Sequence, residues 1–111
     1  MTKETAEMLN TLAKDINQWA VGKGFYEGGP RNAGEVIALM HSELSEALEG
    51  LRHGNPPDEH CPEFSSAEIE FADCIIRILD TCWVMGLNIG DALIAKMEYN
   101  RGRPYKHGKE F

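Results

Sequence analysis

Apolar residues recur along this chain at the three- and four-residue spacing of an α-helix, and the pattern divides the sequence into four segments. We predict helices over residues 3–21, 33–53, 66–86 and 89–100. Asn32, Ser65 and Asn88 precede the last three segments, and Asn and Ser are among the residues that best cap helix N-termini. Strand signals are nearly absent. The pattern therefore predicts an all-α protein resembling a four-helix bundle.

The second predicted helix carries an apolar face and an acidic face side by side. Its apolar face is expected to pack in the core and consists of Ile37, Met40, Leu44, Leu48 and Leu51. Glu43, Glu46 and Glu49 lie on the neighbouring arc. Val36 and Leu39 flank Glu43, which is therefore expected at the edge of buried surface. Because burying an unpaired carboxylate is costly, this position favours a cation as its partner.

The third predicted helix is apolar around most of its circumference, which is typical of a buried helix. Its narrow polar strip consists of Glu70, Asp73, Arg77, Asp80 and Thr81. Such a strip has to face something other than bulk water, and in a bundle the acidic arc of the second helix can meet it. Carboxylates at i and i+3 lie about 5–6 Å apart at Cβ, close enough for both to bind one hard cation. We therefore expect the two acidic pairs, Glu43/Glu46 and Glu70/Asp73, to converge on Mg²⁺.

Length and composition favour one domain over residues 1–111. A chain of 111 residues that is 42% hydrophobic can form a core but is too short for two domains. Its net charge of −7 argues against a general nucleic-acid binder, whose affinity comes largely from basic residues that neutralise phosphates. The charge is uneven, because five basic residues in 96–111 stand against two glutamates. Residues 100–111 are therefore predicted to form a basic C-terminal tail.

Cysteine usage and the lack of targeting patterns predict a cytoplasmic protein. Cys61, Cys74 and Cys82 form no CxxC motif. Cys74 and Cys82 would lie about 12 Å apart along one helix, too far for a disulfide. No basic and then apolar leader opens the sequence, and charged residues interrupt its most apolar stretch, residues 69–85. We expect neither a membrane nor a nucleic acid as a partner.

The acidic pairs resemble a family signature. Glu43-Leu-Ser-Glu46, a gap of 23 residues and Glu70-Phe-Ala-Asp73 are similar to the ExxE…ExxD metal motif of the MazG-like, all-α NTP pyrophosphohydrolase superfamily. Pro30-Arg31-Asn32 resembles the entry to this motif in single-domain relatives such as the dCTP pyrophosphatases. Lys96, Asn100 and Arg103-Pro104-Tyr105 resemble the region that follows the fourth helix in that group. The resemblance covers the chain from about Trp19 to Phe111.

This resemblance implies a Mg²⁺-dependent enzyme that hydrolyses a (d)NTP to a (d)NMP and pyrophosphate, by attack of a metal-activated water on the α-phosphorus. Mn²⁺ is the expected substitute ion, and the biological role would be control or cleaning of the nucleotide pool. It implies metal ligation by all four acidic residues and catalytic roles for Glu46 and Glu70. It also implies a homodimer or homotetramer with sites near subunit interfaces.

The same resemblance supplies the expected substrate-binding residues, which are Lys96, Asn100, Arg103, Tyr105, Asn32 and Trp19. Lys96 and Asn100 are expected at the phosphates or the sugar, and Arg103 with Tyr105 at the closing side of the site. Weaker candidates for a base pocket are Trp19, Phe25, Asn32 and His53. For Trp19, which lies on the apolar stripe of the first helix, a core position is favoured. No motif identifies the base or the sugar.

Two other functions fit part of the pattern. One is a non-catalytic helical interaction module whose acidic faces bind a basic partner, since ExxE on a helix is common as a solvated face. The other is a ferritin-like di-iron bundle, which requires Glu-x-x-His. None of the four histidines lies three residues after a candidate glutamate, which favours Mg²⁺ and oxygen ligands.

Overall fold

The computed structural model of the chain describes residues 2–109, and of His107 only the backbone. Within this range it contains no strand and four α-helices, which are α1 (Lys3–Gly22), α2 (Ala33–Arg52), α3 (Ser66–Val84) and α4 (Ile89–Arg101). A short 3₁₀ turn, Tyr105–Gly108, follows in the predicted basic tail, whose residues 110 and 111 lie outside the described range. The predicted all-α class is confirmed, and the helix boundaries agree with the prediction to within two residues.

The predicted capping residues begin the helices. The side-chain oxygen of Asn32 accepts a hydrogen bond of 2.9 Å from the backbone N–H three residues on. Ser65 and Glu68 form a reciprocal capping box, with hydrogen bonds of 3.2 and 3.0 Å between each side chain and the other backbone. Asn88 caps α4 by accepting from the N–H of Asp91 at 3.0 Å. These bonds satisfy N–H groups that a helix leaves without a partner, which explains why the boundaries follow the sequence closely.

Small residues form the seams between the helices. The main contacts are those of α1 with α3, α1 with α4, and α2 with α3. On α1 the seam consists of Ala6, Ala13 and Ala20, spaced by seven residues and almost fully buried. Ala47 on α2 and Ala67 on α3 are buried in the same way. Because these side chains are short, the helix backbones approach closely and the large apolar side chains lie beside the seams.

The prediction that the apolar face of α2 packs in the core is wrong for the single chain. Leu44, Leu48 and Leu51 are about half exposed, with Leu48 at 52%. The residues that α2 buries are Val36, Glu43 and Ala47. The helix is therefore rotated so that its acidic arc, rather than its leucine face, meets α3.

The chain as a whole exposes more surface than a compact protein of its size. Its accessible surface is 8150 Å², whereas a compact monomer of this mass exposes about 6,100 Å². Its radius of gyration is 16.3 Å, against about 13 Å for a compact chain of this length. Among the described residues no large side chain is fully buried. Many of the exposed large apolar side chains lie on α1, α2 and α3.

A sharp turn separates α3 from α4. Gly86 adopts the left-handed conformation with φ of 69°, and the two helix axes differ by 113°. Within residues 2–109 no single helix is long and apolar enough to cross a membrane, although the bent pair of α3 and α4 meets that test by length and composition. The turn directs α4 across α1, where the N–H of Gly90 donates to Asn10 Oδ1 at 2.9 Å.

The contact of α1 with α4 depends on the absence of a side chain at Gly90. A Cβ placed there would collide with the carbonyl oxygen of Ala6 and lie 2.8 Å from its carbonyl carbon. We predict that Gly90→Ala lowers the free energy of unfolding by about 1–3 kcal/mol, measured by urea denaturation, because backbone has to move to accept the methyl group. Gly22→Ala is the matched control, since no atom lies within 4 Å of its new Cβ. Equal urea midpoints for both variants would contradict this account of the seam.

Candidate functional site

Three glutamates from two helices meet at the contact between α2 and α3. Glu43 and Glu46 come from α2 and Glu70 from α3, and each offers a carboxylate oxygen within 4.8 Å of the others. We call these three residues the glutamate cluster. Glu43 is buried, Glu70 is half-buried and Glu46 is exposed, so the cluster extends from the interior to the surface. An arrangement of this kind places three hard oxygen ligands around one point and leaves one side open.

The pKa of Glu70 shows that bringing the three carboxyl groups together disfavours their charged forms. Burial raises the pKa of its carboxyl group to about 8, and the hydrogen bonds and negative charges of Glu43 and Glu46 contribute in the same direction. Its Oε2 atom is buried and has no hydrogen-bond partner. An unpaired buried oxygen between two other carboxylates fits a divalent cation, which would neutralise the cluster and use the free lone pairs. The residues present therefore fit Mg²⁺.

Asp73, the fourth predicted ligand, lies beside the cluster but does not reach its three-oxygen group. Burial raises the pKa of Asp73, and the negative charges of Glu43, Asp58 and Glu46 add to this effect. Asp58 lies on the loop between α2 and α3, where its side chain accepts hydrogen bonds of 2.9 Å from two backbone N–H groups. Two further carboxylates therefore follow the cluster outward, Asp73 beside it and Asp58 near Asp73.

Arg77 supplies positive charge at the cluster. Its Nε donates a hydrogen bond of 3.1 Å to Oε1 of Glu43. Asp73 and Arg77 are spaced i,i+4 on α3, a spacing at which ion pairs form within a helix, but the ion pair of Arg77 crosses to α2. Arg77 opposes the rise in the pKa of Asp73 through its charge alone. The guanidinium group of Arg77 therefore links the glutamate cluster to the polar strip of α3 that continues past Asp73.

A cleft of about 220 Å³ opens next to the cluster. It is lined by Ile16, Trp19, Ala20, Phe25, Arg31, Asp73, Ile76, Arg77 and Asp80. The rings of Trp19 and Phe25 lie 6.0 Å apart between centroids at one side, and the guanidinium of Arg31 lies 5.8 Å from the Phe25 centroid. The cleft therefore combines aromatic surface with two guanidinium groups at the border of an acidic centre.

The predicted residues of α4 and the tail lie apart from this cleft. The Nζ of Lys96 and the guanidinium of Arg103 lie 4.6 and 5.7 Å from the centroid of the Tyr99 ring. The Oδ1 atom of Asn100 is buried without a hydrogen-bond partner, and Tyr105 is 88% exposed. Within residues 2–109 no hydrogen bond or ion pair joins these residues to the glutamate cluster.

The two remaining predicted substrate residues have different places. Asn32 serves as the N-cap of α2, and its side chain is used in that bond. Trp19 is 53% exposed and lines the cleft, so its predicted core position is wrong. Sequence reasoning did not assign Arg31, Arg77 or Asp80 to the site. The signal for the latter two was the polar strip of α3, which continues beyond Asp73 on the same helix face.

The raised pKa of Glu70 predicts a pH-dependent stability for the metal-free protein. Between pH 4.5 and about 8 the folded state binds more protons at Glu70 than the unfolded state does, so the contribution of this group to stability falls as the pH rises through that window. The Glu70→Gln variant carries an uncharged side chain at this position at every pH. In EDTA, its melting temperature relative to wild type is expected to rise steadily from pH 4.5 to pH 8.

Glu49→Gln is the matched control for this experiment, because Glu49 lies one helical turn beyond Glu46, is exposed and is outside the cluster. Its melting temperature is expected to follow wild type over the same pH range, apart from the exposed contact of 3.4 Å with His53. A difference between Glu70→Gln and wild type that does not change with pH would contradict the assignment of a raised pKa to Glu70.

Comparisons with known proteins assign this chain to no family. A scan against protein-family models matches no family, and comparisons with curated proteins and with solved structures give no match. The likeness to the MazG-like superfamily therefore rests on the motif residues alone and stays a prediction. The function of the site has to be argued from its own residues.

Proposed function

We propose that this protein is a Mg²⁺-dependent nucleoside triphosphate pyrophosphohydrolase, which converts a (d)NTP and water to a (d)NMP and pyrophosphate. The observation that carries the proposal is the glutamate cluster, in which a buried Glu70 oxygen has no partner between two other carboxylates. A site of oxygen ligands alone, without histidine or cysteine among the three, matches Mg²⁺ and accepts Mn²⁺ in its place. A triphosphate brings the negative oxygens that complete the coordination of such an ion.

The cleft beside the cluster supports a nucleotide as the ligand. Arg77 lines the cleft and uses only its Nε in the bond to Glu43, which leaves its two terminal nitrogen atoms for phosphate oxygens. Arg31 lines the same cleft from the loop that precedes α2. Trp19 and Phe25 present the flat apolar surfaces on which a base stacks. In this proposal Arg31 and Arg77 contact phosphate, in the role that the sequence resemblance gave to Lys96 and Asn100.

The three glutamates differ in burial, and their proposed roles differ accordingly. Magnesium, when bound, neutralises the phosphates and lowers the pKa of water. Glu43 is buried and fixed by Arg77, so it orients the site. Glu70 gives up its proton to become a ligand. Glu46 is exposed at the open side of the cluster, where it can accept a proton from the attacking water.

We also propose that the active form is a homodimer or homotetramer. The chain exposes about 2,000 Å² more than a compact monomer does, and an interface between obligate partners buries on the order of 2,000–5,000 Å² in total. On α2 a continuous, exposed apolar face at helical spacing is formed by Ile37, Leu44, Leu48 and Leu51. A second copy would cover this face and could also bring its own Lys96 and Asn100 towards the cluster.

The activity is tested by incubating the protein with each NTP and dNTP and measuring pyrophosphate and orthophosphate separately. We expect pyrophosphate from at least one substrate in Mg²⁺ and none in EDTA. Glu70→Gln should lower kcat by at least about 100-fold, because it removes a metal ligand and its charge. Glu49→Gln changes the same charge outside the cluster and should keep turnover within about threefold of wild type.

This experiment separates the enzyme from a non-catalytic module with an acidic binding face. A binding module gives no pyrophosphate with any triphosphate, and neither glutamine variant then has turnover to lose. Release of orthophosphate instead of pyrophosphate would place the attack on the terminal phosphorus and contradict the proposed reaction. Isothermal titration of the protein with Mg²⁺ and a nucleoside monophosphate reports the metal site independently of turnover.

The oligomer is tested by sedimentation velocity at micromolar concentration. We expect wild type to sediment as a dimer or tetramer and Leu48→Glu to shift towards the monomer, because a charge on the apolar face of α2 opposes its burial. Gln18→Glu adds the same charge at an exposed polar position of α1 and should leave the oligomer unchanged. A monomeric wild-type protein would contradict the proposal.

A further inference from the structure

Asp80 is a buried carboxylate in the wall of the cleft, and the proposed reaction does not use it. It is 6% exposed and lines the cleft together with Trp19 and Phe25. Its Oδ1 accepts a hydrogen bond of 2.9 Å from Nδ2 of Asn17 on α1, and its Oδ2 accepts one of 2.6 Å from the hydroxyl of Tyr26. Two neutral donors from outside α3 therefore hold this carboxylate in one orientation. Each oxygen retains capacity for a second donor.

Both hydrogen-bond partners of Asp80 donate to it, so Asp80 serves as an acceptor. Burial raises the pKa of Tyr26 to about 12, and the hydrogen bond and charge of Asp80 act in the same direction, whereas the charge and hydrogen bond of Arg31 oppose the rise. The phenol keeps its proton at neutral pH and donates it to Oδ2 of Asp80. Among the described residues no cation pairs with Asp80. A ligand group that enters the cleft at Asp80 thus meets an acceptor that is held in one orientation.

The position of Asp80 relative to the glutamate cluster suits the base of a nucleotide. Asp80 follows Asp73 by seven residues, which places both on one face of α3 and about 10 Å apart along its axis. Glu70 of the cluster is ten residues from Asp80, about 15 Å along the same axis, so a nucleotide whose phosphates lie between the cluster and Asp73 would place its base at Asp80. The cleft is smaller than the roughly 300–1,000 Å³ of a pocket for a complete drug-sized ligand, and its volume of about 220 Å³ suits a single base.

We propose that Asp80 selects bases that carry an amino group at the place of N4 of cytosine or N6 of adenine, so that cytosine and adenine are accepted while uracil and hypoxanthine, which carry a carbonyl there, are rejected. This inference rests on the proposed function and adds the substrate class to it. An amino group donates to the free lone pair of the carboxylate. A carbonyl in the same position brings two acceptors together, so the two oxygens repel each other and the carbonyl finds no donor at Asp80.

The test compares two substrate pairs that differ in the amino group, dCTP against dUTP and dATP against dITP, in the presence of Mg²⁺. For wild type we expect kcat/KM for pyrophosphate release to favour the amino member of each pair by at least about tenfold. Asp80→Asn offers a donor as well as an acceptor and should reduce both ratios to within about threefold. Asp15→Asn, an exposed aspartate of α1 outside the cleft, should leave both ratios at the wild-type value.

The outcomes distinguish this inference from the proposed function. Pyrophosphate release with equal rates within each pair, or a preference for dUTP, overturns the role of Asp80 and leaves the hydrolase intact. If no triphosphate is turned over, the hydrolase proposal is wrong. Calorimetry then decides the role of Asp80 from the ratio of the affinities for dCMP and dUMP. Should Asp80→Asn not fold, Tyr26→Phe removes one group that holds Asp80 and is expected to lower the ratios. Ratios that stay at the wild-type value in the folded variants overturn the inference.

Discussion

The convergence of three carboxylates at the contact between α2 and α3 is the constraint on which the rest of the molecule depends. Glu43, Glu46 and Glu70 repel one another, and the chain tolerates this through a single arginine at Glu43 and a proton that Glu70 retains at neutral pH. An amino-acid sequence selected for stability alone would fill such a contact with apolar residues. The repulsion supports the proposal that a cation binds at this contact.

The orientation of α2 connects this centre to the outer surface of the chain. Because α2 turns Glu43 and Ala47 towards α3, its leucine face points away from the rest of the chain. The acidic centre and the exposed apolar surface are thus two results of one rotation of one helix. A second copy of the chain that covers the leucines would stabilise the orientation that assembles the centre, so the proposed oligomer and the proposed activity support each other.

The polar strip of α3 organises the site along its length. Glu70 and Asp73 lie at the cluster, Arg77 crosses to Glu43 at its border, and Asp80 ends the strip among the aromatic residues of the cleft. The seam of small residues between α1 and α3 keeps the helices close while Trp19 remains at the edge of the cleft. In the proposed function, this one helix face supplies acceptors for the metal, a donor for phosphate and an acceptor for the base.

The sequence by itself determined the helices, because caps such as Asn32 and Ser65 and the apolar spacing act within a few residues. It also identified the glutamates that meet, since an acidic line on a largely apolar helix needs a partner helix. Only the tertiary structure decided that Leu48 lies outside, that Arg77 pairs with Glu43 and that Asp80 is held by Tyr26. These outcomes depend on how one helix is rotated against another. Periodicity places residues on a common face but does not say which neighbour that face meets.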